Sequence, residues 1–472
     1  MKQKKTFKRK QKMSDNKTRK RKHKRKYKKL NYLGGTSNTA QNIENNDKIV
    51  KDARYYLVPQ NVELLNFNKN SNKMIKISGA LGIFRFSNLG KHKRNIILLG
   101  EEHSNIGSCK LKDNSIAISD LLNGMTENPK VCIDLFVEDF YKTSKYYDEF
   151  KDYEQETHQS GSITYSAMLK DKLNTDVQID KIRTVMADCL AKNKEYCRKN
   201  NSRLHMIDSR IIQNTDTRDN FVQQNGIGLI SPLLYDVLFN NVHKNLSLVV
   251  MNQTVELIKN NLKELILYHI GVLTNNNNKL IDKLMILLMK TENLKEQSNK
   301  WHESMSKILD KEKNKIIDYD HVDIDNCIIH IAEQNINNKI KSLNTTNELM
   351  LKKDILESIL FALTMLTTDA YFIYRWLMVF DDSGIKKNEK QKNCDVRCIN
   401  SIVYTGMAHT LFYVKFIEKF FNVKPNYEKE NYTLFNKYLN ENPSMMWDEK
   451  SRKKLEGKLS CLKIPEKWLS FS

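Results

Sequence analysis

The spacing of apolar positions changes along the chain, and each change marks an element. NIILLG (95–100) and VCIDLFVED (131–139) are short, continuously apolar runs, the pattern of strands buried on both faces. Between them SIAISDLLNGM (115–125) has helical spacing, so 95–139 reads as a βαβ unit with both strands parallel in one sheet. Upstream, residues 73–87, beginning KMIKISGALGIFRF, alternate around Gly79 and Gly82 as a hairpin would. Residues 177–200 place Ile179, Ile182, Val185, Met186, Cys189 and Leu190 at helical spacing. RLHMIDSR (203–210) follows as a third short strand. From about 233 to 380 the pattern is almost wholly helical, broken by polar runs such as TNNNNK (274–279). Then INSIVYTG (399–406) returns to strand character and MAHTLFYVKFIEKFF (407–421) to an amphipathic helix. No internal repeat of 20–50 residues argues for a solenoid.

The predicted fold class is α/β: a mostly parallel β-sheet core flanked by helices, with a large all-helical insertion. The expected organisation is a basic tail and linker over 1–48 and a first part of the core over 49–232. A helical insertion or cap over 233–395 follows, then a last core strand, helix and C-terminal segment over 396–472. The 472 residues, 40% hydrophobic, can bury a large core, and length alone suggests about two to three domains.

Charge changes this picture at one end only. Residues 1–30 carry 17 Lys/Arg against the single acid Asp15, so +16 of the net +22 sits there and +6 is spread over the other 442 residues. Such a segment cannot bury enough apolar surface to offset its ordering entropy, so it is expected to be disordered in isolation. Its charge density suits phosphate contacts, which makes nucleic acid a candidate partner through residues 1–30, or a nuclear-import signal, or only a solubilising arm. The head has neither the apolar core of a secretory signal nor the amphipathic pattern of a transit peptide.

The eight cysteines are scattered through a long chain, which points to reduced intracellular thiols rather than a disulfide framework. Cys394 and Cys398 form a close pair, but no second pair at zinc-ligand spacing accompanies them. The most apolar stretch, 357–380, is long enough for a membrane span but contains Asp369 and Arg375. A charge at the bilayer centre costs about 2.5–3.5 kcal/mol, so a buried helix with a polar network is the expectation, with Asp369 or Tyr371 facing the crevice as the lesser alternative, and no membrane partner.

The candidate chemistry lies where the predicted strands end: Gly100-Glu101-Glu102-His103, Glu138-Asp139, Asp208-Ser209-Arg210 and Gly406-Met407-Ala408-His409. In an open parallel sheet these ends share one crevice, which is where ligands bind. The Gly-x-x-His spacing occurs twice, and glycine at a strand exit permits a sharp turn or a close approach. Neutral imidazole with carboxylate is a ligand set for a divalent transition metal, and open coordination positions activate water.

These segments resemble the superfamily that joins TraB, the TIKI proteases, the ChaN haem-binding lipoproteins and the erythromycin esterases. Gly100, Glu101 and His103 match its first motif, Glu138 its second-strand acid, and Gly406 and His409 its closing Gly-x-x-His. Arg210 matches an Arg found between them. The likeness covers about a third of the chain, and the helical insertion and the absence of secretory features depart from it. It implies a metal-dependent hydrolase with His103, Glu138 and His409 as metal ligands. Glu101 or Glu138 would serve as base, Arg210 would neutralise developing negative charge, and the substrate would be a small molecule or peptide. The basic head and the Asn/Lys/Ile-rich body also resemble proteins of large DNA viruses, so the alternative is a non-catalytic virion or nucleic-acid-associated protein. Either reading places the chain inside a host cell, in cytoplasm or nucleus, or in a virion.

Each site residue also has a plainer reading. Either histidine alone reads as a satisfied core residue, and Glu138 as a carboxylate favoured by a helix N-terminus. Glu101 or Glu102 reads as a helix cap, and Asp208 with Arg210 as a structural ion pair. His205, His302, His321 and His330 have no partner at ligand spacing.

Overall fold

A computed structural model describes residues 67, 69–102, 109, 115–127, 131–140, 196–199, 202–208, 247–289, 292–315, 317–379, 398–442, 451, 455 and 458–471. Strand β1 (Met74–Ser78) is followed by β2 (Gly82–Leu89) and β3 (Arg94–Glu101). Strand β4 (Ser115–Ala117) leads into helix α1 (Ile118–Glu127), then β5 (Ile133–Phe140), β6 (Tyr196–Lys199) and β7 (Ser202–Asp208). Next come helices α2 (Leu248–Asn260), α3 (Leu262–His269), α4 (Asn275–Leu287) and α5 (Glu292–Lys313). Helices α6 (His321–Lys341) and α7 (Glu348–Leu377) complete the helical layer before β8 (Asn400–Gly406). After it lie α8 (Met407–Phe421), β9 (Tyr427–Glu430), α9 (Tyr432–Glu441) and β10 (Cys461–Pro465).

The main sheet has the order β6-β7-β5-β8-β3-β2-β9. Its four central strands, β7, β5, β8 and β3, are parallel, and the outer strands pair antiparallel. The molecule is therefore a mixed α/β fold with a mostly parallel central sheet flanked by helices. The two strands of the expected βαβ unit run parallel, but they are not neighbours. Strand β8 lies between them, and Asn400 is in register with both Asn95 and Ile133. Its side chain accepts from Asn95 Nδ2 at 3.0 Å and donates to the Cys132 carbonyl at 3.1 Å. These bonds pin three strands at their amino ends, and so decide which residues stand level at the carboxyl ends.

Alternate residues of the apolar runs serve two cores. Ile96, Leu98, Phe136, Ile207 and Val403 face the helical layer. Ile97, Leu99, Leu135, Val137, Met206 and Ile402 face α1 and a second, three-stranded sheet of order β10-β1-β4. A strand packed on both sides has no polar face, which is why its sequence pattern is continuous. Helix α7 meets the length and composition of a membrane span, and 72% of its apolar window is buried within the fold. Arg94, buried at the start of β3, donates to the Trp376 and Leu377 carbonyls at 2.9 and 3.3 Å, so it caps the C-terminus of α7 and ties it to the sheet.

Four expectations are corrected. Residues 74–89 are extended but form no hairpin: β1 pairs with β4 and β10, β2 with β3 and β9, and the chain changes sheets around Gly79 at φ 106°. Residues 115–117 are strand, and the helix begins at Ile118. The helix expected over 177–200 does not include Tyr196–Lys199, which pairs antiparallel with β7 because that edge offers unpaired backbone groups; the rest of that span lies outside the described residues. Finally, Cys109 and Cys461 form a disulfide across 352 residues, and Cys132 is also disulfide-bonded, where reduced thiols were expected. The pairing follows from β1 joining β10, which sequence spacing does not reveal. Cys327 and Cys398 are buried free thiols, and Cys398 donates to the Asn400 carbonyl at 3.3 Å rather than to a metal pair; Cys394 lies outside the described residues.

Candidate functional site

The carboxyl ends of the parallel strands carry buried titratable groups. Glu101 ends β3 in register with Gly406, Glu138 lies near the end of β5, Asp208 ends β7, and all three are buried. Gly406 ends β8 and at once caps α8, whose first turn holds His409. Helix α8 has no side-chain cap of its own. Its leading amide, Gly406 N–H, donates instead to Glu138 Oε2 at 2.6 Å. A carboxylate from β5 therefore satisfies a helix N-terminus where the dipole favours negative charge. The plainer reading of Glu138 is thus realised, and its other oxygen goes further: Oε1 stands 3.4 Å from His409 Nε2.

On its other side His409 Nδ1 meets Asp369 Oδ1 at 2.6 Å. Asp369 comes from α7, which packs on the same face of the sheet as Glu138. The Tyr413 hydroxyl, one turn beyond His409, lies against Asp369, and its ring meets Phe372 at 4.2 Å. Burial disfavours charge on His409, but Glu138 and Asp369 outweigh it and raise the imidazole to about 10. Burial also raises Asp369, with His409 opposing. Tyr404 and Tyr413 are both pushed well above the ordinary phenol range by burial and then by neighbouring carboxylates. Those neighbours are Glu101 and Glu138 for Tyr404, and Asp369, Glu138 and Asp208 for Tyr413. Carboxylates thus outnumber His409 around these rings.

Of the expected residues, the structure brings Glu138 and His409 together. By alternation Glu101 continues the Ile97–Leu99 face, where the Tyr404 ring meets it, and so it leaves β3 on the opposite side of the sheet from His409. Glu102 lies against Tyr432. His103 and Arg210 lie outside the described residues. Glycine at position 100 serves close approach rather than a positive φ: an added Cβ would lie 2.2 Å from Met407 Sδ and 3.0 Å from Thr410 Oγ1. Gly82, its register partner on β2, is covered by the same sulfur, 2.8 Å from an added Cβ. The first motif's glycine therefore lets the helix of the closing motif press onto the sheet.

Sequence analysis gave Asp369 at the crevice only as the lesser alternative to a buried network with Arg375. Its one signal is an acid in an otherwise apolar helix. Asp369 and Arg375 were expected to share a buried network, but they part. Arg375 reaches Glu312 on α5 at 3.2 and 3.3 Å and His205 Nδ1 at 3.4 Å. His205 Nε2 faces Asp134, which Arg203 grips through two bonds. Burial holds His205 down to about 4, so the ring is neutral, with Nε2–H donating to Asp134 and Nδ1 accepting from Arg375. This second chain is structural, which agrees with the plainer reading of His205.

Among the described residues no three His, Cys, Asp or Glu side chains are arranged to hold a metal. Glu138 and His409 are a pair, two of the ligands such a site would need. Charge-assisted hydrogen bonds run at about 2.7–2.9 Å, shorter than the 3.4 Å between their facing atoms. Nitrogen and oxygen ligands about 2.0–2.2 Å from a tetrahedral ion stand roughly 3.3–3.6 Å apart. No family model, curated protein or solved structure matches the chain.

Proposed function

We propose that the chain is a metal-dependent hydrolase acting at the carboxyl end of its parallel sheet. Glu138 and His409 would hold a divalent transition metal, with His103 as the third ligand that the motif implies. The observation that carries the reading is the buried pair itself: His409 Nε2 faces Glu138 Oε1 at 3.4 Å, with Asp369 behind the imidazole. The bound ion would supply an activated water and polarise the bond to be cleaved. Glu138 is held by the Gly406 amide through Oε2, so its other oxygen, Oε1, stays aimed at the imidazole. Arg210 is the group proposed to neutralise negative charge developing on an acyl or phosphoryl oxygen. The substrate is a small ester, phosphoester or peptide. Metal content and hydrolysis of panels of those three classes, compared among wild type, His103→Ala, Glu138→Gln and His409→Ala, test the reading. Equal metal content and equal activity in all four would end it.

A second reading rests on the +16 carried by residues 1–30. In it the chain associates with nucleic acid through phosphate contacts of the head, and binding weakens steeply as salt rises. If deletion of residues 1–30 left salt-sensitive DNA and RNA binding intact, this reading would lose its basis.

A further inference from the structure

We propose that Asp369 is a positioning residue of this site. It keeps a proton on His409 Nδ1, so that Nε2 is the nitrogen on the Glu138 side and the one available to a metal ion. The inference rests on the hydrolase reading above and adds a residue that no motif contains. With Asp369 ionised its carboxylate only accepts, so in the 2.6 Å contact Nδ1–H is the donor and Asp369 Oδ1 the acceptor. The nitrogen that is not engaged in this way is the one able to ligate, and an imidazole that binds a metal commonly donates its other N–H to a carboxylate.

The placement of Asp369 is determined from several directions. Three residues on, Phe372 packs at a tilt against Tyr413, which lies four residues beyond His409 on α8, so the two helices meet at successive turns. Phe372 also packs edge-on against Phe136 of β5, two residues before Glu138, at 5.2 Å. Further along α7, Arg375 is tied to α5 and β7, and Arg94 of β3 caps the final carbonyls. The side chains of Asp369 and His409 are 3% and 2% exposed, so neither turns away to water. Asp369, His409 and Glu138 thus form one line from helical layer to sheet, with the imidazole between two carboxylates.

The test uses the full chain as wild type, Asp369→Asn, Asp369→Glu, Glu138→Gln and His409→Ala, with circular dichroism to verify folding. Two readouts are needed. Proton NMR of the metal-free protein, with ¹⁵N-labelled histidine, should show a far-downfield Nδ1–H resonance. It should be absent in His409→Ala, lost in Asp369→Asn, and kept in Asp369→Glu and Glu138→Gln. Titration with Co²⁺ should show affinity about 10- to 100-fold weaker in Asp369→Asn. Asp369→Glu should recover part of it, and His409→Ala should lose the site. A wild-type chain lacking the resonance, or Asp369→Asn with unchanged Co²⁺ affinity while His409→Ala loses it, overturns the positioning role and leaves the metal reading standing. Equal Co²⁺ binding by wild type and His409→Ala overturns the metal reading instead, and the resonance still decides the role of Asp369.

Discussion

Asp134 of β5 and Arg203 of β7 are register partners in adjacent parallel strands, joined by two bonds of 2.5 and 2.7 Å with neither side chain open to water. Burial opposes the charge of Asp134, and Arg203 with His205 more than restores it, holding the carboxyl far below the usual range. Removing one partner strands the other. Arg203→Met should destabilise the fold by about 3–5 kcal/mol, whereas Asp134→Leu with Arg203→Met should cost much less than the sum of the single changes. Urea unfolding of the four members of this cycle measures the coupling. Additive losses would mean that the pair does not act as a unit.

Acid should weaken the fold in a defined window. His205 and His269 are both lowered by burial from 6.5 to about 4, with Asp134 opposing for the first and the Leu265 carbonyl for the second. Each takes a proton in the unfolded chain before it does so in the folded one. Stability therefore declines as pH falls from about 6.5 to about 4, by up to roughly 3 kcal/mol per histidine. Asp134, held low in the fold, adds a further loss only below its unfolded value of 3.8. Denaturant midpoints at pH 7, 6, 5 and 4 check the slope, and a flat profile over that range would contradict it.

The Cys109–Cys461 bond joins the segment after β3 to the start of β10 across 352 residues. Cys461→Ser, or reduction of the bond, should lower stability by about 2–5 kcal/mol. Peptide mapping without reductant should recover the two cysteines in one linked peptide. Free thiols at both positions in folded protein would refute the pairing.

Gly100 and Gly82 lie opposite each other under the Met407 sulfur. Gly100→Ala should cost about 1–3 kcal/mol through overpacking. Adding Met407→Ala opens room for the new methyl, so the double variant should lose less than the two single losses combined. Thermal unfolding of the three variants decides it, and simple additivity would show that the sulfur is not what the methyl meets.

Much of the sheet is legible in the amino-acid pattern. The runs 95–100, 131–139, 203–208 and 399–406 are apolar on both sides because each feeds two cores, and all four are central strands. Elements whose partners are distant are harder to read. KMIKIS resembles half of a hairpin until β10, nearly 400 residues on, takes its edge. Tyr196–Lys199 has helical surroundings in sequence, yet β7 draws it into the sheet. For the site, the Gly-x-x-His of 406–409 and the acid at 138 are legible as motif residues, and the pairing of Glu138 with His409 is one part of the expected convergence, whose third member, His103, lies outside the described residues. Asp369 is not legible in this way, because its partner lies 40 residues away and no spacing rule links a mid-helix acid to the first turn of α8.

The amino-acid pattern alone sets the local periods: which runs are strands buried on both sides, which are helices, and that carboxylates and histidines stand at strand ends. Those follow from side-chain alternation and helical repeat, which are properties of a few adjacent residues. Long-range packing settles the rest: that β8 inserts between β3 and β5, that Glu138 rather than Glu101 shares a face with His409, and that α7 supplies Asp369 behind the imidazole. Strand order and the parity of a residue at a strand's end depend on pairing between distant segments, here set by Asn400 bonding to both neighbouring strands. A shift of that register by one residue would turn Glu138 to the other face of the sheet.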